Sequence, residues 1–248
     1  MQITQLEKGM ANKTYLLSDE NIKLVMKVFS KATKSRRNNE TLPGYGEQLV
    51  ENLFGPKVYS CCADFIITEF IQGQHPHTLS QERLIRQLYQ IHNLRDYSSD
   101  EDLLYQRICG MIDAVGGDTS QWKQIVSNYY PKGKIVFGHG DVKPENLIVS
   151  NKSGKIYWID FDLCGPMPCT YDLAKICRYG DNVEEVSSWY EINPRSIYNA
   201  IPFVWLEAHL FFLREQMSHN DSTVFQEKSI WSYNHMMKAI KACENKQI

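Results

Sequence analysis

The sequence lacks the features that mark several specialised classes of protein. Its 248 residues carry 27 Lys and Arg against 29 Asp and Glu, so no excess of positive charge indicates a nucleic-acid binder. The seven cysteines form no C-x-x-C pair, which argues against a disulfide framework and favours a reducing compartment. The N-terminal stretch has no apolar core of the kind found in signal peptides. We therefore expect a cytoplasmic protein that binds neither nucleic acid nor membrane.

Long apolar runs are also missing. The most apolar stretch, 203–213, is interrupted by Glu207 and His209, and it is too short and too polar to be predicted as a membrane span. What the chain does contain is 43% hydrophobic residues, in a length that can bury its own core without disulfide or metal support. That length accommodates one large domain or two lobes.

The predicted secondary structure changes in character near residue 73. Before this point, β-rich segments predict strands and one stretch with helical spacing predicts a helix. The predicted strands are 13–18, 22–29, 57–60 and 64–71, and the predicted helix is 40–54. A break rich in Gly and Pro at 73–77 predicts a hinge. We predict an α+β fold with a β-rich N-terminal lobe over 1–73 and a mainly helical C-terminal lobe over 74–248.

The region after residue 77 is predicted to be mainly helical. Thr78 and Gln81 have the spacing of a capping box, which predicts the start of a helix. Further helices are predicted over 102–115 and 119–130. The chain is expected to be helical again from Tyr171, with a break or kink near Pro202 because proline disturbs a helix interior.

Three short predicted strands, 135–137, 147–149 and 156–159, interrupt this helical region and end in polar residues. Asp141, Asn146 and Asp160 supply two carboxylates and an amide oxygen, a hard-oxygen set that suits Mg²⁺. A carboxylate that does not bind the metal can orient an attacking hydroxyl. Taken singly, each residue is equally typical of a turn. Taken together, they favour phosphoryl transfer, which depends on positioning and on charge neutralisation.

These residues belong to segments that together carry a family resemblance. The segments are HGDVKPEN over 139–146, IDFD over 159–162 and YDLA over 171–174. They resemble the catalytic loop and metal-binding motif of the protein-kinase-like fold, and they are especially similar to the aminoglycoside phosphotransferase and choline kinase superfamily. The resemblance implies a two-lobed kinase-like fold that uses ATP and Mg²⁺. It also implies that Asp141 positions or deprotonates the acceptor hydroxyl and that Asn146 and Asp160 hold the metal.

The resemblance extends upstream to the nucleotide site. Lys27 corresponds to the strand lysine that binds the α- and β-phosphates, and Glu47 to the glutamate that pairs with it. Glu51, one helical turn later, is the competing candidate for that pairing. The segment that contains Glu69 and Ile71 is similar to the hinge that offers backbone groups to adenine.

The N-terminal segment GMANKTY, over 9–15, resembles the phosphate-covering turn of bacterial-type choline kinases, which implies that Gly9, Met10 and Asn12 cover the phosphates. The G-x-G-x-x-G loop, the D-F-G motif and the A-P-E segment of protein kinases are absent from the sequence. Lys143, however, matches the protein-kinase loop and by that likeness could reach the transferring γ-phosphate. Asp162 is open to three interpretations: a second metal ligand, a substrate contact or a solvated carboxylate.

The resemblance implies a small-molecule kinase that transfers phosphate to a hydroxyl acceptor, with choline or a related amino alcohol as the leading acceptor. Thiamine, a sugar or an aminoglycoside would use the same machinery. Two further hypotheses are an atypical protein kinase, favoured only by Lys143 and its neighbours, and a catalytically silent nucleotide-binding protein. One or two of Trp205, Glu207 and Trp231 could bind an ammonium group, although aromatic residues at helical spacing more often form core.

Three other polar residues are predicted to have structural roles. Asp172 is expected to brace the catalytic loop through hydrogen bonds. His139 is expected to brace the same region rather than to carry a proton. His92, on an apolar helix face, is expected to be a hydrogen-bonded core histidine.

Overall fold

The structure, a computed structural model, describes residues 1–6, 12–30, 44–51, 53–78, 81–96, 98, 100–178, 182–218 and 223–245. Gly9 and Met10 therefore lie outside the described residues. The chain divides into two compact units, Met1–Leu79 with His139–Cys164 and Ser80–Gly138 with Gly165–Ile248. This division groups 139–164 with the N-terminal strands, whereas the predicted lobes follow the order of the chain, and their boundary at residue 73 remains a prediction.

The elements of the described residues confirm the predicted α+β class, with strands concentrated in the first unit and helices in the second. The strands are β1 (Gln2–Gln5), β2 (Lys13–Ser18), β3 (Lys23–Val28), β4 (Val58–Cys61), β5 (Phe65–Glu69), β6 (Gly73–Gln74), β7 (Ile135–Gly138), β8 (Leu147–Ser150), β9 (Ile156–Trp158) and β10 (Gly165–Pro168). The helices are α1 (Tyr45–Val50), α2 (Glu82–His92), α3 (Leu103–Val115), α4 (Ser120–Tyr129), α5 (Cys169–Ile176), α6 (Val183–Tyr190), α7 (Pro194–Ser218) and α8 (Thr223–Asn245).

An antiparallel five-stranded sheet, in the order β1-β2-β3-β5-β4, forms the main part of the first unit. The predicted β2–β3 hairpin forms, and the Asp19 side chain closes its turn by accepting hydrogen bonds from the backbone N–H groups of Asn21 and Ile22. This is the local bonding that makes Asp common in turns. In register, Lys27 of β3 lies opposite Thr14 of β2 and Ile66 of β5, so the lysine has a neighbouring strand on each side.

Helix α1 lies against the segment that follows β9 because Gly46 has no side chain. A Cβ atom at Gly46 would be 2.5 Å from Cβ of Phe161 and 2.6 Å from Sγ of Cys164. These distances are shorter than atomic contact allows, so only glycine permits this approach. The consequence is that Glu47, the next residue, is carried to the Asp160–Asp162 segment.

The break predicted at 73–77 is wrong in its first two residues, because Gly73 and Gln74 form strand β6. They pair with Ser150 and Val149 of β8, which completes a three-stranded sheet in the order β6-β8-β9. A Cβ atom at Gly73 would lie 2.4 Å from the Val149 carbonyl oxygen. The glycine that indicated a flexible break therefore serves close strand packing.

The capping box predicted at Thr78 and Gln81 is also wrong. Helix α2 begins at Glu82 with Gln81 as its N-cap residue, and that side chain makes no capping hydrogen bond. Helix α3 instead has the expected type of cap, because Asp102 accepts from the N–H groups of Leu104 and Tyr105. A carboxylate at the N-cap reaches these free N–H groups directly.

Helix α7 is the central helix of the second unit and contacts α3, α4, α5, α6 and α8. By length and composition it is apolar enough to cross a membrane. In the structure its apolar residues Phe203, Leu206 and Leu210 are fully buried, as in the core helix of a soluble protein.

Of the break or kink expected near Pro202, the break does not occur, since α7 runs from Pro194 to Ser218 with the proline inside it. Proline has no N–H group to donate to the carbonyl four residues earlier, which here belongs to Tyr198. That carbonyl accepts a hydrogen bond from the Cys243 thiol of α8 at 3.3 Å. A neighbouring helix thus satisfies the carbonyl that proline leaves without its usual partner.

Candidate active site

Two polar segments of the first unit are held side by side by the pairing of β8 with β9. Asn146 immediately precedes β8 and Ile159 immediately follows β9, and the first pair of the ladder joins Leu147 to Trp158. The ladder continues one step further, because the Ile159 N–H donates to the Asn146 carbonyl at 3.0 Å. The loop that contains Asp141 and the segment that begins at Asp160 therefore lie next to each other.

The Asp141 carboxylate is held by two donors from its own loop. The Asn146 amide donates to the Asp141 carbonyl oxygen at 2.8 Å and to its Oδ2 at 3.0 Å. Lys143 Nζ lies 2.6 Å from the same Oδ2, and its side chain keeps about a third of its exposure. Asn146 therefore orients the Asp141 carboxylate. The Lys143 ammonium pairs with the same carboxylate and stays partly exposed to solvent.

His139 connects this loop to the segment that begins at Asp160. Its Nδ1 accepts from the Asp141 N–H at 3.2 Å and its Nε2 lies 3.1 Å from the Ile159 carbonyl oxygen. A backbone N–H only donates and a carbonyl only accepts, so this pair of contacts requires the neutral ring with its proton on Nε2. The ring is fully buried and packs on Phe161 at a centroid distance of 4.4 Å. Both ring nitrogens are thus used to join the two polar segments, which is the bracing arrangement.

Lys27 gathers three carboxylates around one ammonium group. Its Nζ lies 2.6 Å from Asp160 Oδ1, 2.7 Å from Asp162 Oδ1 and 3.5 Å from Glu47 Oε1. Asp160 has a positive backbone φ of 64°, a conformation in which non-glycine residues are uncommon. That turn brings Asp160 and Asp162, which flank the buried Phe161, to the same lysine.

The pKa values of this cluster are moved in different directions. Burial would lower the pKa of Lys27, but the charges of Asp160, Asp162 and Glu47 raise it above the usual range of lysine. Burial would raise the pKa of Asp160, but Lys27 and Lys143 lower it to about 2. For Asp162, burial and the neighbouring carboxylates outweigh Lys27 and raise the pKa to about 6. The cluster therefore carries more negative charge than one lysine neutralises.

The two candidate partners of Lys27 on α1 have separate contacts. Glu47 is 5% exposed, and its Oε1 also accepts from the Phe161 N–H at 3.3 Å. Glu51 accepts from the Val58 N–H at 3.2 Å, a contact within the backbone connection to β4. The structure therefore brings Glu47 to Lys27 and uses Glu51 locally.

Asn12 contacts Asp162, a contact that no local sequence signal indicates. Its amide nitrogen donates to Asp162 Oδ2, and its amide oxygen accepts from the Ser30 N–H at 2.9 Å.

At the far end of β5, the Glu69 N–H donates to the Lys57 carbonyl oxygen at 2.8 Å, and Ile71 is buried. Glu69 is thus the last residue of β5, and Ile71 follows it by two positions.

The carboxylates around Lys27 supply part of the oxygen ligands that a divalent cation prefers. The two carboxylates of Asp160 and Asp162 already converge on one cation, the ammonium of Lys27. The Oε2 atom of Glu47 is buried and has no hydrogen-bond partner among the described residues. Across the described ranges, no group of three His, Cys, Asp or Glu side chains could hold a metal ion. A metal site here would therefore need the Asn146 amide oxygen or ligands from a substrate.

The second unit holds a different charged cluster, around Glu207 of α7. This carboxylate lies 2.8 Å from Arg107 and 2.9 Å from Lys175, and it also accepts from the Tyr171 hydroxyl. Burial would raise the pKa of Glu207, but the two cations lower it to about 2. Glu207, one of the candidates for binding an ammonium acceptor, is thus already fully engaged inside the unit.

The candidate aromatic residues of the acceptor site are packed against each other. Trp205 is 2% exposed and stacks on His235 at a centroid distance of 4.6 Å and an angle of 18°. Trp231 meets Trp205 edge-on at 5.0 Å and remains 45% exposed. Of the two tryptophans, only Trp231 keeps a substantial accessible surface.

Two of the three polar residues expected to be structural, His92 and Asp172, lie together in the core of the second unit. His92 is 1% exposed; its Nδ1 lies 2.6 Å from the Tyr190 hydroxyl and its Nε2 3.0 Å from Asp172. His92 is therefore a hydrogen-bonded core histidine. Asp172 is its hydrogen-bond partner, and the bracing of the catalytic loop by Asp172 stays a prediction.

A strand lysine that gathers paired carboxylates beside a braced Asp–Asn loop defines the class of protein-kinase-like phosphotransferases. Within that class, the chain belongs to the phosphotransferase enzyme family (APH), whose family model matches residues 2–211. The chain is therefore a phosphotransferase with an alcohol group as acceptor, as the resemblance of its motifs implied.

Solved structures of low sequence identity share the fold. Choline kinase LicA from Streptococcus pneumoniae has a TM-score of 0.77 at 18% identity, covering 98% of this chain and 94% of that chain. Choline kinase from Cryptosporidium parvum Iowa II has a TM-score of 0.74 at 14% identity, covering 99% and 90%. The GDP and kanamycin complex of APH(2")-IIia has a TM-score of 0.64 at 14% identity, covering 97% and 93%. A search of curated proteins found no match.

Proposed function

We propose that the protein is an ATP- and Mg²⁺-dependent small-molecule kinase that transfers the γ-phosphate to a hydroxyl group, most readily that of choline or a related amino alcohol. The observation that carries this proposal is the cluster in which Lys27 holds Asp160 and Asp162 beside the Asp141–Asn146 loop. Phosphoryl transfer requires a phosphate-binding cation, metal-binding oxygens and an oriented carboxylate in one place, and we assign these roles to Lys27, to Asp160 with Asp162, and to Asp141.

Asp141 is the catalytic residue of this proposal. It would accept a hydrogen bond from the acceptor hydroxyl and orient it towards the γ-phosphate, taking its proton as the new bond forms. The Asn146 amide fixes the carboxylate through Oδ2. Lys143 Nζ, 2.6 Å from the same oxygen, would leave Asp141 and bind the γ-phosphate when nucleotide is present.

Asn146, Asp160 and Asp162 would hold the metal, which when bound would supply positive charge to neutralise the phosphate oxygens. Lys27, held by Glu47, would then contact the α- and β-phosphates. The remaining nucleotide contacts are assigned to the turn of Gly9, Met10 and Asn12 over the phosphates and to the backbone at Glu69 and Ile71 for adenine. Nucleotide use is supported by the AMP complex of LicA and the GDP complex of APH(2")-IIia.

The choice of choline rests on the likeness of the N-terminal segment and on the choline kinases among the neighbours of similar fold. Glu207 is engaged by Arg107 and Lys175, and one face of Trp205 is covered by His235. Among the three candidates for an ammonium site, Trp231 is therefore the one with surface available for a cation–π contact. A cytoplasmic location and a small-molecule partner belong to the same proposal.

Turnover of ATP with Mg²⁺ against a panel of choline, ethanolamine, thiamine, sugars and aminoglycosides tests the proposal. Asp141→Ala should lower the rate by about 100- to 10,000-fold, the usual contribution of a positioned acid or base. Asp118→Ala, which removes an exposed carboxylate, is the matched control and should leave the rate unchanged. Equal rates in the parent and Asp141→Ala would remove the assigned role. Phosphate incorporation into proteins alone would favour the protein-kinase hypothesis. ATP binding without transfer to any acceptor would favour the catalytically silent nucleotide-binding protein.

A further inference from the structure

Asn12 lies at the open end of the β2–β3 hairpin and is buried. Lys13 and Val28 form the last pair of that ladder, and Asn12 and Ser30 lie just beyond it. The Ser30 N–H donates to Asn12 Oδ1 at 2.9 Å. Because a backbone N–H only donates, it fixes the orientation of the amide and directs the Asn12 NH₂ group to Asp162 Oδ2.

The two oxygens of Asp162 therefore have partners of different charge. Oδ2 is held by the neutral amide of Asn12, whereas Oδ1 lies 2.7 Å from the Lys27 ammonium. A metal ion could therefore take the place of the Lys27 ammonium at Oδ1 while Asn12 keeps its contact with Oδ2. A lysine or arginine in place of Asn12 would instead compete with a metal ion for the same carboxylate.

We propose that Asn12 is a positioning residue that orients the Asp162 carboxylate for a divalent metal ion. The inference rests on the proposed function, since it requires that Asp162 faces a metal. It differs from the role implied for Asn12 by the family resemblance, in which the residue covers the phosphates. Hydrogen-bond partners of metal-binding carboxylates set their orientation, and their removal typically costs about 10- to 100-fold in metal affinity.

The test measures Mn²⁺ binding to protein saturated with a non-hydrolysable ATP analogue. Free Mn²⁺ is quantified from its electron paramagnetic resonance spectrum. Asn12→Ala should raise the dissociation constant of Mn²⁺ by about 10-fold or more, with a smaller effect on the affinity for the analogue in the absence of metal. Asn21→Ala, at the exposed turn of the same hairpin, is the matched control. Melting temperatures verify folding, and Asn12→Ser replaces Asn12→Ala if the latter does not fold.

A double-mutant cycle with Asp162→Asn decides whether Asn12 acts through Asp162. If it does, Asn12→Ala weakens Mn²⁺ binding in the parent and has little further effect in the Asp162→Asn background. Equal effects in both backgrounds, unchanged Mn²⁺ binding in Asn12→Ala, or no Mn²⁺ binding by the parent would overturn the inference. The proposed function is tested separately by transfer to an acceptor. Loss of transfer with an intact Mn²⁺ cycle counts against the proposed function, and a failed cycle with intact transfer counts against this inference.

Discussion

Two charged clusters among the described residues, the first partly buried and the second buried, have nearly opposite compositions. In the first unit, Lys27 is surrounded by the three carboxylates of Asp160, Asp162 and Glu47. In the second unit, the single carboxylate of Glu207 lies between the two cations of Arg107 and Lys175 and accepts from a tyrosine. The first cluster therefore has unbalanced negative charge, whereas the carboxylate of the second is fully neutralised.

The pKa values of the two clusters express the same difference. The pKa of Glu207 is lowered to about 2, because two cations outweigh its burial. The pKa of Asp162 is raised to about 6, because burial and two neighbouring carboxylates outweigh Lys27. Carboxyl groups with strongly shifted pKa values are common at functional sites. This difference supports the proposal that the first cluster holds a metal ion, whereas Glu207 in the second cluster is already paired with two cations.

The largest expected effect follows from removing the carboxylate of the second cluster. Glu207→Gln leaves Arg107 and Lys175 buried without their counter-charge, and we expect it to lower the free energy of unfolding by about 3–5 kcal/mol. Denaturant unfolding measures this loss. Glu82→Gln, which removes the exposed ion pair of Glu82 with Arg86, should change stability by less than about 1 kcal/mol. If both variants unfold alike, the Glu207 cluster is not the stabilising one.

The opposite result is expected for the first cluster. In Asp162→Asn, the Asp160 and Glu47 carboxylates face one charge fewer, so the metal-free protein should become more stable at pH 7.5 while phosphate transfer is lost. The gain should be about 1–3 kcal/mol, since each pKa unit corresponds to about 1.4 kcal/mol. Melting temperature and transfer rate are measured on the same samples. A destabilised Asp162→Asn would mean that the first cluster, like the second, serves the fold.

The pH dependence of this effect has a defined sign. The folded-state pKa of Asp162, about 6, is above the ordinary 3.8, so the folded protein binds this proton more tightly than the unfolded chain does. The stability that the group contributes is present below pH 3.8 and is lost as the pH rises through about 6. The advantage of Asp162→Asn over the parent should therefore become small near pH 4. Asp96→Asn, which removes an exposed carboxylate, is the control.

The sequence was sufficient to predict what depends on neighbouring residues. The α+β class, the β2–β3 hairpin and the Asp141–Asn146 loop were confirmed as structural features, because strand propensity and turn chemistry act over a few positions. The family resemblance carried the phosphotransferase class. Contacts over long separations were not predictable in this way. The bond from Asn12 to Asp162 spans 150 positions, and nothing in the local pattern indicates it.

Two of the three wrong predictions share a physical reason, which is that tertiary contacts reversed a local preference. Gly73 suggested a flexible break, yet its missing side chain allows β6 to pair with β8. Thr78 and Gln81 had capping spacing, yet α2 begins after Gln81 without a side-chain cap. Pro202 predicted a break, yet a thiol from α8 compensates its missing hydrogen bond. At Gly73 and Pro202 the deciding contact comes from a distant part of the chain, whereas nothing in the structure explains why α2 begins without a side-chain cap.

The smallest expected effect concerns one backbone carbonyl of the second unit, that of Tyr198, whose hydrogen-bond donor is the Cys243 thiol. Cys243→Ala removes the donor to the Tyr198 carbonyl and should lower the free energy of unfolding by about 1 kcal/mol. Cys243→Ser retains a donor and should stay closer to the parent. In a Pro202→Ala background the helix supplies its own N–H to that carbonyl, so Cys243→Ala should cost less there, as a double-mutant cycle of unfolding free energies would show. Additive effects would mean that the thiol stabilises α7 through packing, and that this unit tolerates an unsatisfied buried carbonyl after all.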